Sequence, residues 1–143
     1  KHLTTQAKIP HPWNFEHDHI GYNYRMPNLN AALACAQMEQ LDTFIADKRA
    51  LADAYADHFR QSTIAFFREP AGAFSNYWLN VILLNTRSER DAFLKATNEA
   101  GVMTRPAWTL MNKLSMFRNS PCADLDHANW LEDRLVNVPS SVR

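Results

Sequence analysis

Apolar residues recur at helical spacing across the first half of the chain. From Asn28 the sequence turns to Ala, Leu, Met, Gln and Glu, which are good helix formers, and Pro27 stands just before them. The apolar positions are Leu29, Leu33, Ala36, Met38, Leu41, Phe44 and Ile45. Thr43 is a suitable N-cap for a second segment. The pattern predicts a long helix over residues 28–60 that is bent or broken at residues 42–43.

Four later segments have the residue types of β-strands. Ile64–Arg68 and Asn76–Leu84 are rich in β-branched and aromatic residues. The second segment is almost wholly apolar in its last half, which predicts a strand covered on both faces. Val102–Arg105, ended by Pro106, and Val136–Val138 are shorter candidates.

Helical patterns separate these strands. Ser88–Asp91 has the spacing of a capping box, and Gly101 stops the helix that follows it. Leu110–Phe117 and Asp124–Leu135 are shorter helical patterns. The order helix, strand, strand, helix, strand, helix, helix predicts an α+β domain with a long helix and a small, partly antiparallel sheet flanked by helices.

Residues 1–27 show neither the 3.6-residue period of a helix nor the two-residue period of a strand. They hold three prolines, four histidines and a dense set of aromatic residues, namely Trp13, Phe15, Tyr22 and Tyr24. So many aromatic side chains are costly to leave in water. We therefore expect an ordered loop at 1–27 that packs on this domain, on a further domain or on a second subunit, followed by one domain at 28–143.

Composition excludes several classes of function. The formal net charge is zero, with 15 basic and 15 acidic residues scattered along the chain, so neither nucleic acid nor an anionic membrane is an expected partner. No apolar stretch reaches the roughly 18 residues that span a bilayer. Cys35 and Cys122 lie far apart and do not suggest a disulfide framework. We expect a protein of the cytoplasm.

One motif is specific enough to suggest a family. The run from Ile20 to Leu33, continuing to Gln37, reads Ile-Gly-Tyr-Asn-Tyr-Arg-Met-Pro-Asn-Leu-Asn-Ala-Ala-Leu. It is similar to the G-Y-N-Y-R-M/L…A-A-L/I…Q segment of the DegT/DnrJ/StrS sugar aminotransferases. The similarity extends to His2–Thr5, Lys8–Trp13, Arg105–Trp108 and Asn137–Ser141, which is nearly the whole chain.

This resemblance implies the C-terminal small domain of a fold type I aminotransferase that depends on pyridoxal 5'-phosphate (PLP). Such an enzyme is a homodimer with active sites at the subunit interface. It moves an amino group from an amino-acid donor, usually glutamate, to a nucleotide-linked keto-sugar. The variant looks closest to the branch that aminates UDP- or GDP-linked 4-keto-6-deoxy-hexoses for surface glycans.

The resemblance also implies that the lysine which binds PLP lies upstream of this sequence. Lys1 and Lys8 stand near the expected region, but neither has the Gly-rich, Ser/Asn-containing context of the family's lysine. The chain also opens without Met, in polar, proline-punctuated text. We therefore expect a C-terminal fragment that does not transaminate by itself.

The resemblance assigns two cofactor-binding residues to the motif. The Asn of this motif reaches across the dimer to the PLP phosphate in related enzymes, and Asn23 occupies that position. A neutral amide donates to phosphate without burying another charge. By spacing alone, Asn23 is a turn residue before the helix. Arg25 suits a phosphate or carboxylate, or equally an ion pair at an interface.

Two further residues follow the third predicted strand, where relatives shape the sugar-nucleotide pocket. A guanidinium beside a diphosphate and an indole beside a sugar or base make chemical sense for Arg105 and Trp108. The alternative is a core-anchoring turn at 106–108. Tyr22 and Tyr24 are interpreted as packing residues.

A metal site is the weaker interpretation of the histidines near the start. His11, His17 and His19 with Asp18 offer enough ligands. Short histidine clusters in loops are usually solvated or hydrogen-bonded, and PLP chemistry needs no metal. We predict no metal site there.

Two rival functions remain open from the sequence. One keeps the fold and cofactor but dehydrates a deoxysugar, as in family members in which His replaces the lysine that binds PLP. The other is a domain without catalytic function that retains dimerisation or ligand binding. The residue and the domain upstream decide between them.

Overall fold

The computed structural model describes residues 1–12 and 15–142 and divides the chain into two compact units, Lys1–Leu41 and Asp42–Arg143. Trp13, one of the aromatic residues of the predicted loop, lies outside the described residues. The helices are α1 (Asn28–Met38), α2 (Leu41–Phe59), α3 (Arg87–Glu99) and α4 (Asp126–Glu132), and the strands are β1 (Ala65–Phe66), β2 (Asn80–Leu83), β3 (Arg105–Pro106) and β4 (Leu135–Val138). No helix in the described part of the chain combines the length and apolarity needed to cross a membrane. The predicted boundary between residues 27 and 28 stays a prediction.

In the first unit, two extended segments pair with each other before α1 begins. The N–H of Tyr22 donates to the carbonyl of Leu3 at 2.7 Å, and the N–H of Tyr24 donates to that of Thr4 at 3.0 Å. The backbone must approach closely here, because a Cβ on Gly21 would lie 2.5 Å from the carbonyl carbon of Gln6. Glycine is therefore required at position 21.

The long predicted helix is broken, as expected, but earlier than expected. α1 ends at Met38 and α2 begins at Leu41, so the break lies at residues 39–40 and not at 42–43. None of the residues of α1 is buried, whereas α2 buries Leu51 and Ala52.

The α+β prediction for the second unit is confirmed. Its four strands form one sheet in the order β1-β2-β4-β3, and every pairing is antiparallel. The sheet is thus more uniform than the partly antiparallel one predicted.

One face of this sheet forms the core. Ile82 of β2 lies opposite Val136 of β4, and both are fully buried. Partly buried apolar side chains pack against this pair and its buried neighbours Leu84 and Val138: Tyr55, Phe59, Ile64, Phe66, Phe93 and Leu94. Burial of each large aliphatic side chain contributes roughly 1.5–3 kcal/mol.

The prediction that β2 is covered on both faces was wrong. Its burial alternates, with Asn80 and Ile82 buried and Val81 and Leu83 only half-buried. Residues 76–79, predicted as strand, are also irregular, because Tyr77 adopts a left-handed backbone with φ of +45°. The second face of the sheet is therefore open, and it presents Asn137 opposite Val81.

α3 is capped two residues before the predicted capping box. The Thr86 hydroxyl accepts the N–H of Glu89 at 3.2 Å, and the Glu89 carboxylate accepts the N–H of Asn85 at 3.0 Å. The N-cap is thus Thr86, with Glu89 accepting the N–H of the residue before it, and the predicted start at Ser88 was wrong. Gly101, at φ of +79°, ends the turn after α3 as predicted.

The last predicted helices are shorter than the pattern suggested. Met111–Lys113 and Ser115–Phe117 are single 3₁₀ turns where one helix over 110–117 was expected, and α4 covers only part of 124–135. β3 begins at Arg105, later than the predicted Val102.

Substitution Gly21→Ala should open the paired segments of the first unit. The added methyl overlaps the backbone of Gln6 and Ala7, and such overpacking costs about 1–3 kcal/mol. We expect the amides of Tyr22 and Tyr24 to exchange with solvent roughly fivefold to a hundredfold faster, measured by hydrogen exchange. Gly72→Ala in the second unit is the control: its φ of +81° strains the new side chain, but the added Cβ meets nothing within 4 Å, so the amides of Tyr22 and Tyr24 should keep their wild-type exchange. Unchanged exchange at both amides in Gly21→Ala would contradict the prediction.

Candidate functional site

Asn23 lies exposed in the paired segment before α1. Its side-chain oxygen accepts the N–H of Arg25 at 3.3 Å, which is the geometry of an Asx turn. The amide nitrogen donates to no atom among residues 1–12 and 15–142. The turn therefore holds the side-chain oxygen, and the amide nitrogen has no hydrogen-bond acceptor among these residues.

Arg25 is already engaged inside the first unit. Its guanidinium donates to the side-chain oxygen of Gln6 at 3.2 Å and to the carbonyl of Thr5 at 3.1 Å. It also lines a recess of about 570 Å³, together with Thr5, Lys8, Pro10, His11 and Pro12. The side chain thus fixes residues 5–6 and adds positive charge to the recess.

Two histidines of this unit, His2 and His17, hold local structure. His17 donates from Nδ1 to the carbonyl of Gln6 at 2.7 Å, and His2 lies 2.6 Å from the carboxylate of Asp18. The hydrogen bond from His2 lowers the pKa of Asp18. Within residues 1–12 and 15–142 no three His, Cys, Asp or Glu side chains are grouped to hold a metal ion.

In the second unit, Arg105 and Trp108 lie together at the open face of the sheet. They line a groove of about 460 Å³ with Leu79, Pro106, Ala107, Thr109 and Asn137. The Asn137 amide donates to the carbonyl of Pro106 at 3.2 Å and so holds the end of β3. Trp108 is largely exposed, with 72% of its surface accessible, which does not fit a core-anchoring turn.

A second groove of about 520 Å³ shares three of these residues. Leu79, Arg105 and Asn137 line both, and the second adds Lys48 from α2 and the exposed indole of Trp78. The two grooves together offer two indoles and two cationic side chains, of which Lys48 also donates to the carbonyl of Ser140. That combination suits a ligand with both an anionic group and a planar or sugar ring.

An ion pair fixes the loop that precedes Leu79. The guanidinium of Arg49 in α2 binds both oxygens of Glu69, at 3.0 and 2.5 Å, and both side chains are mostly shielded from solvent. The pair also binds the backbone of Ser75. Arg49 donates to the Ser75 carbonyl at 2.7 Å, and Glu69 accepts the Ser75 N–H. The rings of Phe74 and Tyr77 lie 4.2 and 5.6 Å from the guanidinium carbon.

The contacts with Arg49 and with the N–H of Ser75 lower the pKa of Glu69 to about 2. The hydrogen bond to Glu69 likewise raises the pKa of Arg49. Both groups are thus charged throughout the neutral range, and the loop is held by a charge-assisted bidentate contact.

The sequence did not single out Lys48, Trp78, Leu79 or Asn137 as site residues. Asn137 belongs to a segment that carries the family resemblance, so a signal was present in its case. Trp78 and Leu79 were assigned to a strand, and Lys48 is one of many polar residues on a helix, so the pattern gave no reason to select them.

Comparisons with known proteins place this geometry in a class. The fold is that of sugar aminotransferase small domains: the chain aligns with TlmJ, an aminotransferase from Streptoalloteichus hindustanus, with a TM-score of 0.85 at 20% identity, over 98% of this chain and 38% of that one. It aligns likewise with Spr1654 from Streptococcus pneumoniae in its PLP form, with a TM-score of 0.81 at 16% identity, over 99% of this chain and 37% of that one.

The family follows from a sequence model. Residues 5–143 match the DegT/DnrJ/EryC1/StrS aminotransferase family, and the chain belongs to it. A GDP-perosamine synthase from Escherichia coli is 35% identical over 128 residues, which is 87% of this chain and 34% of that protein. The chain thus spans about a third of the length of the curated relatives it matches.

Acidification should remove the stabilisation that Glu69 provides. Its folded pKa lies near 2 and the ordinary value is 4.5, so the contribution is complete above pH 4.5 and disappears as the pH falls towards 2. Thermal unfolding should show Glu69→Gln less stable than wild type at neutral pH, with a gap that closes in acid. Asp57→Asn, which removes an exposed pair with Arg60, serves as control. A gap that is the same at pH 7 and pH 2.5 would count against this account.

Proposed function

We propose that this chain is the C-terminal part of a PLP-dependent aminotransferase that transfers the amino group of glutamate to a nucleotide-linked keto-deoxy-sugar for surface glycan synthesis. Family membership carries the proposal. The name of the Escherichia coli relative, GDP-perosamine synthase, supports an amino sugar linked to a nucleotide as the product. The two cysteines are free thiols, which suits the cytoplasm.

The first unit has a group suited to the cofactor's phosphate. When bound, PLP supplies the electron sink that lets an amino group be exchanged. The exposed amide of Asn23, oriented by its own turn, fits a phosphate oxygen, because its donor is unused among the described residues. Arg25 contributes by fixing Thr5 and Gln6 beside this turn and by its charge.

The second unit has a surface suited to the sugar nucleotide. Arg105 offers a guanidinium to a diphosphate, and Trp108 offers an exposed ring face to a sugar or base. Asn137 keeps the end of β3 in place and so positions Arg105, which pairs with it in the sheet.

A homodimer accounts for the apolar surface of the first unit. Several large apolar side chains there are more than half exposed: Ile20, Tyr22, Tyr24, Met26, Leu29 and Leu33. Surface of this kind marks an interaction site. We propose that it packs against the large domain and a second subunit, with Asn23 serving the partner's cofactor.

The 143-residue chain alone should neither bind PLP covalently nor transaminate. Lys8 lies over the ring of Phe15, 4.1 Å from its centroid, and neither Lys8 nor Lys1 has the family's context for a PLP lysine. Incubation with PLP followed by borohydride reduction and mass spectrometry should find no stoichiometric adduct. A specific adduct on Lys1 or Lys8 would overturn this prediction.

Substitution Asn23→Ala in the intact enzyme should weaken PLP retention roughly ten- to a hundredfold. Hydrogen bonds to charged groups contribute about 1.5–3 kcal/mol, which sets this scale. The dimer should persist, because one amide is a small part of a subunit interface. PLP dissociation and the melting of the apoenzyme are measured on the same variant.

The exposed Asn30 of α1 gives the matched control, since Asn30→Ala removes an amide from the same unit without touching the turn. If Asn23 acts only as a turn residue, Asn23→Ala lowers the melting temperature and leaves PLP affinity unchanged. That result would remove Asn23 from the cofactor site.

A further inference from the structure

Several side-chain contacts hold the loop over residues 67–79 in place. Arg49 and Glu69 bind each other in a bidentate pair and also take up both backbone hydrogen-bonding groups of Ser75. The Tyr77 hydroxyl accepts the N–H of Glu69 at 3.3 Å. The core of the second unit, around Ile82 and Val136, makes no use of this ion pair.

The same loop contains a strained residue directly before the groove. Tyr77 is buried and has a left-handed backbone, which is uncommon for a residue with a large side chain. Its N–H donates to the Ser75 hydroxyl, and the next N–H, that of Trp78, donates to the Asn76 side chain, both at 3.0 Å. Such strain persists only where surrounding contacts impose it, and it is concentrated at functional sites.

The consequence of this arrangement is the placement of Trp78. Tyr77, with its left-handed backbone, is buried, and the indole of the next residue, Trp78, is 68% exposed. Trp78 and Leu79 then line the groove that also holds Lys48 and Arg105. An exposed indole in a groove with two cations is the arrangement that accepts the ring of a nucleoside diphosphate whose phosphates face the cations.

We propose that the Arg49–Glu69 pair is a positioning element that holds residues 67–79 so that Trp78 forms an aromatic wall for the nucleotide part of the substrate. The inference rests on the proposed function for the identity of the ligand, and on the contacts above for the positioning. Arg49 and Glu69 touch no ligand themselves. They act through Ser75 and Tyr77 on the orientation of Trp78.

The positioning is tested on the 143-residue chain labelled with 5-fluorotryptophan. Trp78→Phe identifies the Trp78 fluorine resonance. Arg49→Lys keeps the charge but loses the planar fork, and Glu69→Gln keeps the shape but loses the charge. Both should shift or broaden the Trp78 resonance and leave those of Trp108 and Trp130 in place. Arg68→Lys, on the same loop but in an exposed pair with Asp53, should leave all of them unchanged.

The role in binding is tested in the intact enzyme. Arg49→Lys should raise KM for the nucleotide sugar roughly two- to tenfold, the scale of one aromatic contact, with kcat and the KM of the amino donor unchanged. Inhibition by the free nucleoside diphosphate should weaken by the same factor.

The outcomes separate the two proposals. If folded Arg49→Lys and Glu69→Gln chains both keep the wild-type Trp78 resonance, the positioning role is wrong whatever the enzyme does. If that resonance moves and KM stays the same, Trp78 is positioned but does not serve the nucleotide, and the inference also fails. If the wild-type enzyme turns over no nucleotide-linked keto-sugar, the proposed function fails, while the fluorine measurement still decides the positioning.

Discussion

Ile82 of β2 and Val136 of β4 lie opposite each other and are fully buried, and this pair fixes the register of the central strands. Because side chains alternate along a strand, a slip by one residue would turn Asn137 into the core and Val136 out of it. The same register sets Arg105 of β3 opposite Asn137 on the open face. The position of Arg105 and Asn137 in the groove therefore follows from the register that the core sets.

Much of this fold could be predicted from periodicity, and the failures have physical causes. The helix over 28–60 and its interruption follow from apolar spacing, but the exact break at 39–40 carries no Gly or Pro to mark it. The start of β2 was misjudged because residues 76–79 have strand-forming side chains, while Tyr77 has a left-handed backbone and Arg49, distant in sequence, binds the carbonyl of Ser75 just before them. Asn80 is fully buried with no hydrogen-bond partner for its side chain among the described residues, which an apolar pattern does not predict.

The candidate site also contains residues that the sequence predicted and residues that it did not. The family motifs selected Asn23, Arg25, Arg105 and Trp108. In the structure Asn23 forms a turn, Arg25 donates to Gln6, and Arg105 and Trp108 line a groove. Their functional roles stay predictions. Trp78, Lys48 and Glu69 could not be selected from sequence, because their importance depends on contacts between residues 20 or more positions apart. Local sequence patterns do not predict contacts between residues so far apart, so only the folded structure identifies these residues.

We propose that the enzyme containing this chain transfers an amino group to a nucleotide-linked keto-sugar. The most direct test is to incubate the enzyme that contains it with ¹⁵N-glutamate, PLP and GDP- or UDP-linked 4-keto-6-deoxy-hexose, and to analyse the sugar nucleotide by mass spectrometry. The account predicts a product that carries one ¹⁵N in place of the keto oxygen, together with 2-oxoglutarate. A sugar product that has lost water and contains no ¹⁵N would contradict it and would identify the enzyme as a dehydratase of the same family.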